Sequence, residues 1–301
     1  IPTNFLTKTL SFNILFILED NTKVIIIGNP SGTDTTIIVT HKVNASNKSN
    51  QEVVTPNGPL SNNVFALSLQ NKDLWFTFGG YGNEMNPFNP NGLTEYGISA
   101  YKNLQSWNHV SFEDIGRIKA TTNISFNSRK QNLLYISSFQ NGLGVYDMST
   151  NSIDIFNDTN TNVLQAVLPN DIRVNGVAFD SNGVGWLTNA GVNPILASVD
   201  QNNQFQTRPI NVFTGASEDS YLKPIIDRNN TKWIGSRVSG VIAYNDTRGH
   251  KSTVIRTSEG LSSNTINNLA LDYSNKLWIA TSKGLRVINN VDQFLTQNEI
   301  K

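Results

Sequence analysis

Asn267-Asn268-Leu269-Ala270-Leu271-Asp272, a short polar turn, Lys276-Leu277-Trp278-Ile279-Ala280-Thr281, and then Gly284-Leu285-Arg286-Val287 together make a unit that this chain repeats. One step earlier stand Leu222-Lys223-Pro224-Ile225-Ile226-Asp227, Lys232-Trp233-Ile234-Gly235-Ser236 and Gly240-Val241-Ile242-Ala243-Tyr244. A further step back gives Val174-Asn175-Gly176-Val177-Ala178-Phe179-Asp180 and Gly185-Trp186-Leu187-Thr188. Trp75, Tyr135, Trp186, Trp233 and Trp278 occupy one slot, at gaps of 60, 51, 47 and 45 residues. Four-stranded propeller blades recur at roughly 40–50 residues. Each unit has the parts of a blade: an alternating strand, a turn rich in Asp and Asn that bond their own backbone, a strand carrying the aromatic, and a Gly-led third strand. Helical periodicity is hard to find anywhere. The reading is all-β: a single β-propeller, whose radial repetition leaves few open edges.

Five blades are clear. The strand-like stretches 10–18, 24–28 and 35–43 suggest a sixth within residues 1–55, although it lacks the Trp. Residues 291–301 could supply a strand that closes the ring. The expectation is six or seven four-stranded blades in one domain, 1–301. The chain has no initiator Met and is expected to be processed or part of a larger multidomain protein.

Lys and Arg number 23, Asp and Glu 23, so the formal net charge is zero, and no block of like charge stands out. That argues against nucleic acid or an anionic membrane as a partner, either of which calls for a basic patch. Charged residues are 15%, below the roughly 25% usual in soluble domains; Asn, Ser and Thr take their place, as in many exported proteins. The chain has no cysteine, which excludes disulfides, thiolate metal sites and cysteine nucleophiles. No run reaches the ~18 apolar residues of a membrane helix, so direct membrane insertion is not expected.

The repeat, with the lead-in Gly260-Leu261-Ser262-Ser263-Asn264 and a shuffled copy Gly58-Pro59-Leu60-Ser61-Asn62, resembles the two-component-regulator propeller repeat of Bacteroidetes exported proteins. The resemblance covers roughly residues 58–290 and speaks to fold more than to function. The stretch from Pro59 to Leu69, then Leu74-Trp75-Phe76-Thr77-Phe78-Gly79-Gly80-Tyr81, Asn86-Pro87-Phe88-Asn89-Pro90, Gly97-Ile98-Ser99 and Trp107, is similar to the PorZ-like propellers of the type IX secretion system. Such propellers come in pairs with a small C-terminal β-sandwich sorting domain, and this chain could hold only one propeller. The resemblance implies an exported protein at the outer-membrane surface or in the periplasm, acting with a sortase that attaches cargo to lipopolysaccharide. Its partners would be proteins of a secretion or attachment complex, and lipopolysaccharide or another glycan. The alternative it implies is the periplasmic oligosaccharide-sensing propeller of a hybrid two-component system.

No nucleophile elbow, P-loop or dinucleotide fingerprint is present. His41, His109 and His250 share neither metal-ligand spacing nor a repeat position. Asp180-Ser181-Asn182-Gly183 and Asp227-Arg228-Asn229-Asn230 lack the further carboxylates of a calcium loop and read as hairpin turns. Asp180 to Trp186 faintly resembles the sialidase Asp-box, but the arginines are scattered. No enzyme, cofactor, catalytic residue or metal ligand is expected. The repeated Trp residues read as wedges between blades, and Trp107, outside the repeat, as packing on its own blade. The feature that stands out is an insertion at residues 79–97, where the last blade has only Ser282-Lys283. Long loops of this kind are functional or disordered. Meander topology puts it on one face with 157–173 and 211–221, around one mouth of the channel. The insertion is either a rigid plug or a partner or ligand site, and in the second case the candidate binding residues are Tyr81, Glu84, Phe88, Tyr96, Asp219 and Tyr221. Asn63, Asn123, Asn175 and Asn267 are expected to point inward at one level.

Overall fold

A computed structural model describes residues 57–82, 85–86, 88, 93–210 and 219–296, together with four earlier strands as backbone. The chain divides into two compact units, Ile1–Asn62 and Asn63–Lys301. The first contains an antiparallel meander in chain order, β1 (Phe16–Asp20), β2 (Lys23–Gly28), β3 (Ile37–Lys42) and β4 (Gln51–Val54), in which Ile26 pairs with both Ile17 and Val39.

The second unit is a run of five propeller blades. These are β5 (Ala66–Gln70), β6 (Asp73–Thr77), β7 (Ile98–Lys102) and β8 (Ser106–Val110); β9 (Thr121–Asn127), β10 (Lys130–Ser138), β11 (Gly142–Asp147) and β12 (Ser152–Phe156); β13 (Val174–Phe179), β14 (Gly185–Asn189), β15 (Leu196–Val199) and β16 (Phe205–Thr207); β17 (Ile225–Ile226), β18 (Lys232–Gly235), β19 (Val241–Asn245) and β20 (Lys251–Ile255); and a three-stranded β21 (Ile266–Leu271), β22 (Leu277–Thr281) and β23 (Gly284–Ile288). Every sheet is antiparallel with neighbours in chain order. The expected six or seven blades are therefore corrected to five. Residues 16–54 do form a blade-like meander, but as part of a separate compact unit.

The expected closing strand over 291–301 is also corrected. Gln293–Thr296 is a single helical turn, α1, and residues 297–301 lie outside the described residues. Val291 and Phe294 are both buried at 1% exposure. A spacing of three brings two side chains to one face of a helix, whereas a strand alternates with period two.

The repeated aromatic does the work expected of it in four blades. On each second strand it sits between smaller residues across the sheet: Ser68–Trp75–Ala100, Ser125–Tyr135–Val145, Ala178–Trp186–Ser198, Ile225–Trp233–Ala243 and Ala270–Trp278–Val287. Its ring then reaches forward along the chain. Trp75 meets Phe126 at 6.2 Å, Tyr135 meets Phe179 at 4.6 Å, Trp186 meets Tyr244 at 6.0 Å and Trp233 meets Phe294 at 5.8 Å. An aromatic side chain buries some 150–250 Å², so each wedge is worth roughly 4–6 kcal/mol of gross transfer free energy. Trp75, Tyr135, Trp186 and Trp233 are at most 2% exposed, but Trp278 is 39% exposed and Leu285 beside it 53%. At the other end of the run, Leu67 and Leu69 of β5 are open to solvent. Trp107 packs within its own blade, 5.0 Å from both Phe76 and Tyr101.

A second device repeats inside the last three blades. Asp180 Oδ1 accepts from the backbone N–H groups of Asn182 and Val184, and Oδ2 accepts from Trp186 Nε1 at 3.1 Å. Asp227 does the same with Asn229, Thr231 and Trp233, and Asp272 with Ser274, Lys276 and Trp278. One carboxylate thus closes the hairpin turn and locks the indole. The first blade has a tighter turn at Asn71-Lys72, where Asn71 takes φ 55°, and carries no such Asp. There Trp75 Nε1 has no acceptor among the described residues.

Candidate functional site

The insertion between β6 and β7 is anchored at both ends. A Cβ at Gly79 would lie 2.2 Å from Thr121 N, so the strand end presses directly on the second blade. Ala120 N donates to Thr94 O at 2.9 Å on the return. Gly80 has φ 113°, and a Cβ there would meet the Phe65 ring at 2.5 Å; only glycine fits both demands. This turn aims Tyr81 inward. Its ring packs 4.7 Å from Phe139 and 5.0 Å from Phe65. Its hydroxyl donates to Asn175 Oδ1 at 3.2 Å and accepts from Asn175 Nδ2 at 2.9 Å. Burial pushes the phenol pKa up, and the Asn175 bond partly offsets that.

Met85, 9% exposed, joins a buried cluster with Phe139, Ile195, Ile210, Tyr221 and Ile234, and Leu93 packs against the same cluster. The base of the insertion is therefore a plug, while its surface presents Phe88 at 45% and Tyr96 at 39% exposure. Tyr96 rests 6.0 Å from Phe78. Glu84 lies outside the described residues.

Asp219 and Tyr221 sit inside the rim. Asp219 accepts from Ser236 Oγ at 2.6 Å, Ser239 Oγ at 2.7 Å and the Ser220 and Val238 backbone N–H groups. Its carbonyl accepts from Gly191 N at 2.9 Å. Tyr221 is fully buried, its phenol pKa pushed far up by desolvation and then by neighbouring Asp219. The Tyr221 carbonyl accepts from Asn175 Nδ2 at 3.0 Å. Tyr81 and Tyr221, 140 positions apart in the chain, thus meet at one asparagine. Asp219 and Tyr221 shape the rim from beneath. Of the candidate residues, Phe88 and Tyr96 are the ones offered to solvent. Residues 211–218 lie outside the described residues; in the 157–173 connection, Leu164 and Ile172 are buried and Gln165 N donates to Asn189 Oδ1 at 2.7 Å.

The four asparagines expected at one level do not share a register: Asn63 precedes β5, Asn175 and Asn267 fall at the register shift of their first strands, and Asn123 stands just beyond the corresponding shift in β9. Two residues before the partner of each repeated aromatic stand Ala66, Asn123, Gly176, Lys223 and Asn268. Lys223 spans this row. Its ammonium donates to Asn123 Oδ1 at 2.9 Å, from the fourth blade to the second. A Cβ on the intervening Gly176 would lie 2.8 Å from Lys223 Cβ, Cγ and Cδ, so the absence of a side chain there lets the lysine cross. Burial pushes the Lys223 pKa down to about 8. Lys223 was not among the residues expected from the sequence. The available signal was a lone cation in a slot otherwise filled by Ala, Asn and Gly.

Among the described residues, no group of three or more His, Cys, Asp and Glu could hold a metal ion, and no helix is long and apolar enough to cross a membrane. His109 bonds Ser99 and His250 bonds Tyr244.

No protein-family model and no curated protein matches the chain. Among solved structures it is similar to PorZ, an essential bacterial surface component of the type IX secretion system of Porphyromonas gingivalis. The TM-score is 0.69 and the identity 16%, over 94% of this chain and 43% of that one. It is also similar to the extracellular domain of BT4673 from Bacteroides thetaiotaomicron, with TM-score 0.58 and 19% identity over 90% of this chain and 31% of that one. A third is the extracellular domain of BT3049 from the same organism, described as a hybrid two-component system, with TM-score 0.50 and 15% identity over 91% and 39%. The chain thus spans less than half the length of each. At these identities the likeness establishes the propeller fold.

Proposed function

We propose that this chain is a non-catalytic recognition module of an exported protein, presenting loops from a rigid propeller to a partner. The observation that carries the reading is the insertion between β6 and β7: Tyr81, Met85 and Leu93 fix its base in the core, while Phe88 and Tyr96 stay exposed. Rigid aromatic groups on a fixed loop contribute contact area at low entropic cost. The fold likeness to PorZ, a surface component of the type IX secretion system, supports a place at the cell surface; the partners we propose are proteins of a secretion or attachment complex, a sortase among them, with lipopolysaccharide as the attached glycan. The likeness to BT4673 and BT3049 supports a second reading, a periplasmic sensor of oligosaccharides.

The test is a pull-down from outer membranes with this chain as bait, beside a variant lacking residues 83–94. Recovery of a sortase or anionic lipopolysaccharide by the intact chain alone supports the scaffold. Equal recovery by both removes the insertion from the site. An empty pull-down with a positive glycan array transfers the assignment to the sensor.

A further inference from the structure

Lys223 and Asn123 are half-buried, and a cation partly withdrawn from water is best answered by an anion. Lys223 has no carboxylate partner among the described residues; its recorded bond is to the neutral Asn123 amide oxygen. The orientation of that amide follows from its two neighbours. Lysine can only donate, and Ser125 Oγ also donates to Asn123 Oδ1 at 3.0 Å. The Asn123 Nδ2 group therefore faces away with two N–H donors, and the ammonium keeps two more. No acceptor for these donors is recorded among the described residues. Tyr81 and Asn175 nearby are already satisfied by one another and by the Tyr221 carbonyl. The result is a cluster with a positive charge, several donors and no acceptor, placed where Gly176 clears the way. Resting Lys223 on a neutral amide when a carboxylate would serve it better is a local inconsistency, and such inconsistencies gather at functional sites.

We propose that Asn123, on the first strand of the second blade, and Lys223, just before the first strand of the fourth, form a binding site for a single oxyanion, a carboxylate or phosphate group carried by the ligand. The ammonium supplies the charge and one or two bonds, and Asn123 Nδ2 supplies another. Charge-assisted bonds of this kind are roughly twice as strong as neutral ones. The proposal rests on the recognition reading and gives it a ligand chemistry. It also carries a pH dependence. With the Lys223 ammonium titrating at about 8, affinity is full below that value and falls as pH rises through it. Asn123 and Ser125, which face the ammonium, do not titrate in this range.

The experiment is isothermal titration of the intact chain with sodium phosphate, sodium galacturonate and neutral galactose at constant ionic strength, on wild type, Lys223→Met and Gly176→Val. Saturable binding of phosphate or galacturonate, at least tenfold weaker in both variants and weaker at pH 9 than at pH 7 in wild type, supports the site. Which of the two anions binds names the source of the oxyanion. No binding to wild type, equal binding to Lys223→Met, or binding of galactose as tight as galacturonate overturns it. Thermal unfolding confirms that the variants fold; if one does not, the wild-type pH dependence decides alone. An anion bound beside an empty pull-down keeps this site and discards the protein partner. A partner captured equally by wild type and Lys223→Met, with no anion bound, does the reverse.

Discussion

Replacing Asp227 by Asn tests whether one carboxylate holds both a hairpin turn and the wedge of its blade. Asp227 is 6% exposed and accepts three N–H bonds, two on Oδ1 from Asn229 and Thr231 and one on Oδ2 from Trp233. Asparagine keeps an oxygen for the two backbone groups and turns an NH₂ toward the indole N–H, donor against donor. The bond to a charged acceptor is worth about 1.5–3 kcal/mol, and a buried, unanswered indole N–H costs about 1–3 kcal/mol more. One contribution runs the other way. Burial holds the Asp227 carboxyl pKa above the ordinary 3.8. Its stabilising share is therefore complete below that value and is lost as pH rises through the folded pKa. Asn carries no charge and escapes that loss. The net expectation is about 3 kcal/mol at neutral pH, a drop in Tm of roughly 6–12 °C for a domain of this size. The control is Asp272→Asn, which keeps the two backbone bonds and turns the same NH₂ toward the indole of Trp278, at 39% exposure. Water can answer the freed indole there, so the shift is less than half as large. Circular dichroism melts of the two variants at one scan rate give the comparison. Equal shifts at both positions, or none at 227, refute the idea that burial of the lock sets its worth.

Further outcomes follow from the same structure. Bonds from Trp278, Lys276 and Ser274 hold the Asp272 carboxyl below 3.8, so its stabilisation is present above that value and lost as pH falls through the folded pKa; the Asp272→Asn deficit closes on acidification in pH-stepped melts. Lys232 is fully buried, paired with Asp246 and lying 3.7 Å over the Trp186 ring. Lys232→Met is expected to change stability by under ~1 kcal/mol, while Asp246→Ala, which strands the ammonium, costs about 2–4 kcal/mol, read by urea denaturation. Trp278→Phe removes more acrylamide-quenchable tryptophan fluorescence than Trp233→Phe does. Gly80→Ala forces a Cβ onto the Phe65 ring at positive φ and lowers stability by about 1–3 kcal/mol, measured by thermal melts.

Much of this fold is legible in the sequence because one unit is written several times. The shared slot of Trp75, Tyr135, Trp186, Trp233 and Trp278 identifies the second strand of each blade, and the Asp-led turns locate the hairpins. The constant spacing of six from Asp180 to Trp186, Asp227 to Trp233 and Asp272 to Trp278 was visible too, but the bond between each pair was not read from it. Blade count was less accessible. Residues 16–54 have the strand pattern and form the sheet, yet pattern alone does not say which compact unit a sheet joins. Nor can a repeat position report its neighbour: Trp278 matches Trp233 in sequence and differs from it in exposure. The site was legible by location and less so by residue. Length and composition single out the insertion, but the Tyr81–Asn175 contact joins residues 94 positions apart, and the Lys223–Asn123 bond joins residues 100 positions apart. Such juxtapositions come from register, which no local pattern encodes.

The Asp–Trp lock has an implication for how such chains change in length. All of its donors and acceptors lie within seven consecutive residues, so every copy is complete before any neighbour arrives. Duplicating or deleting a whole unit disturbs none of these bonds; it alters only which wedge is covered and which is left at the end of the row. Unit number is then free to drift by recombination while each unit keeps its own geometry.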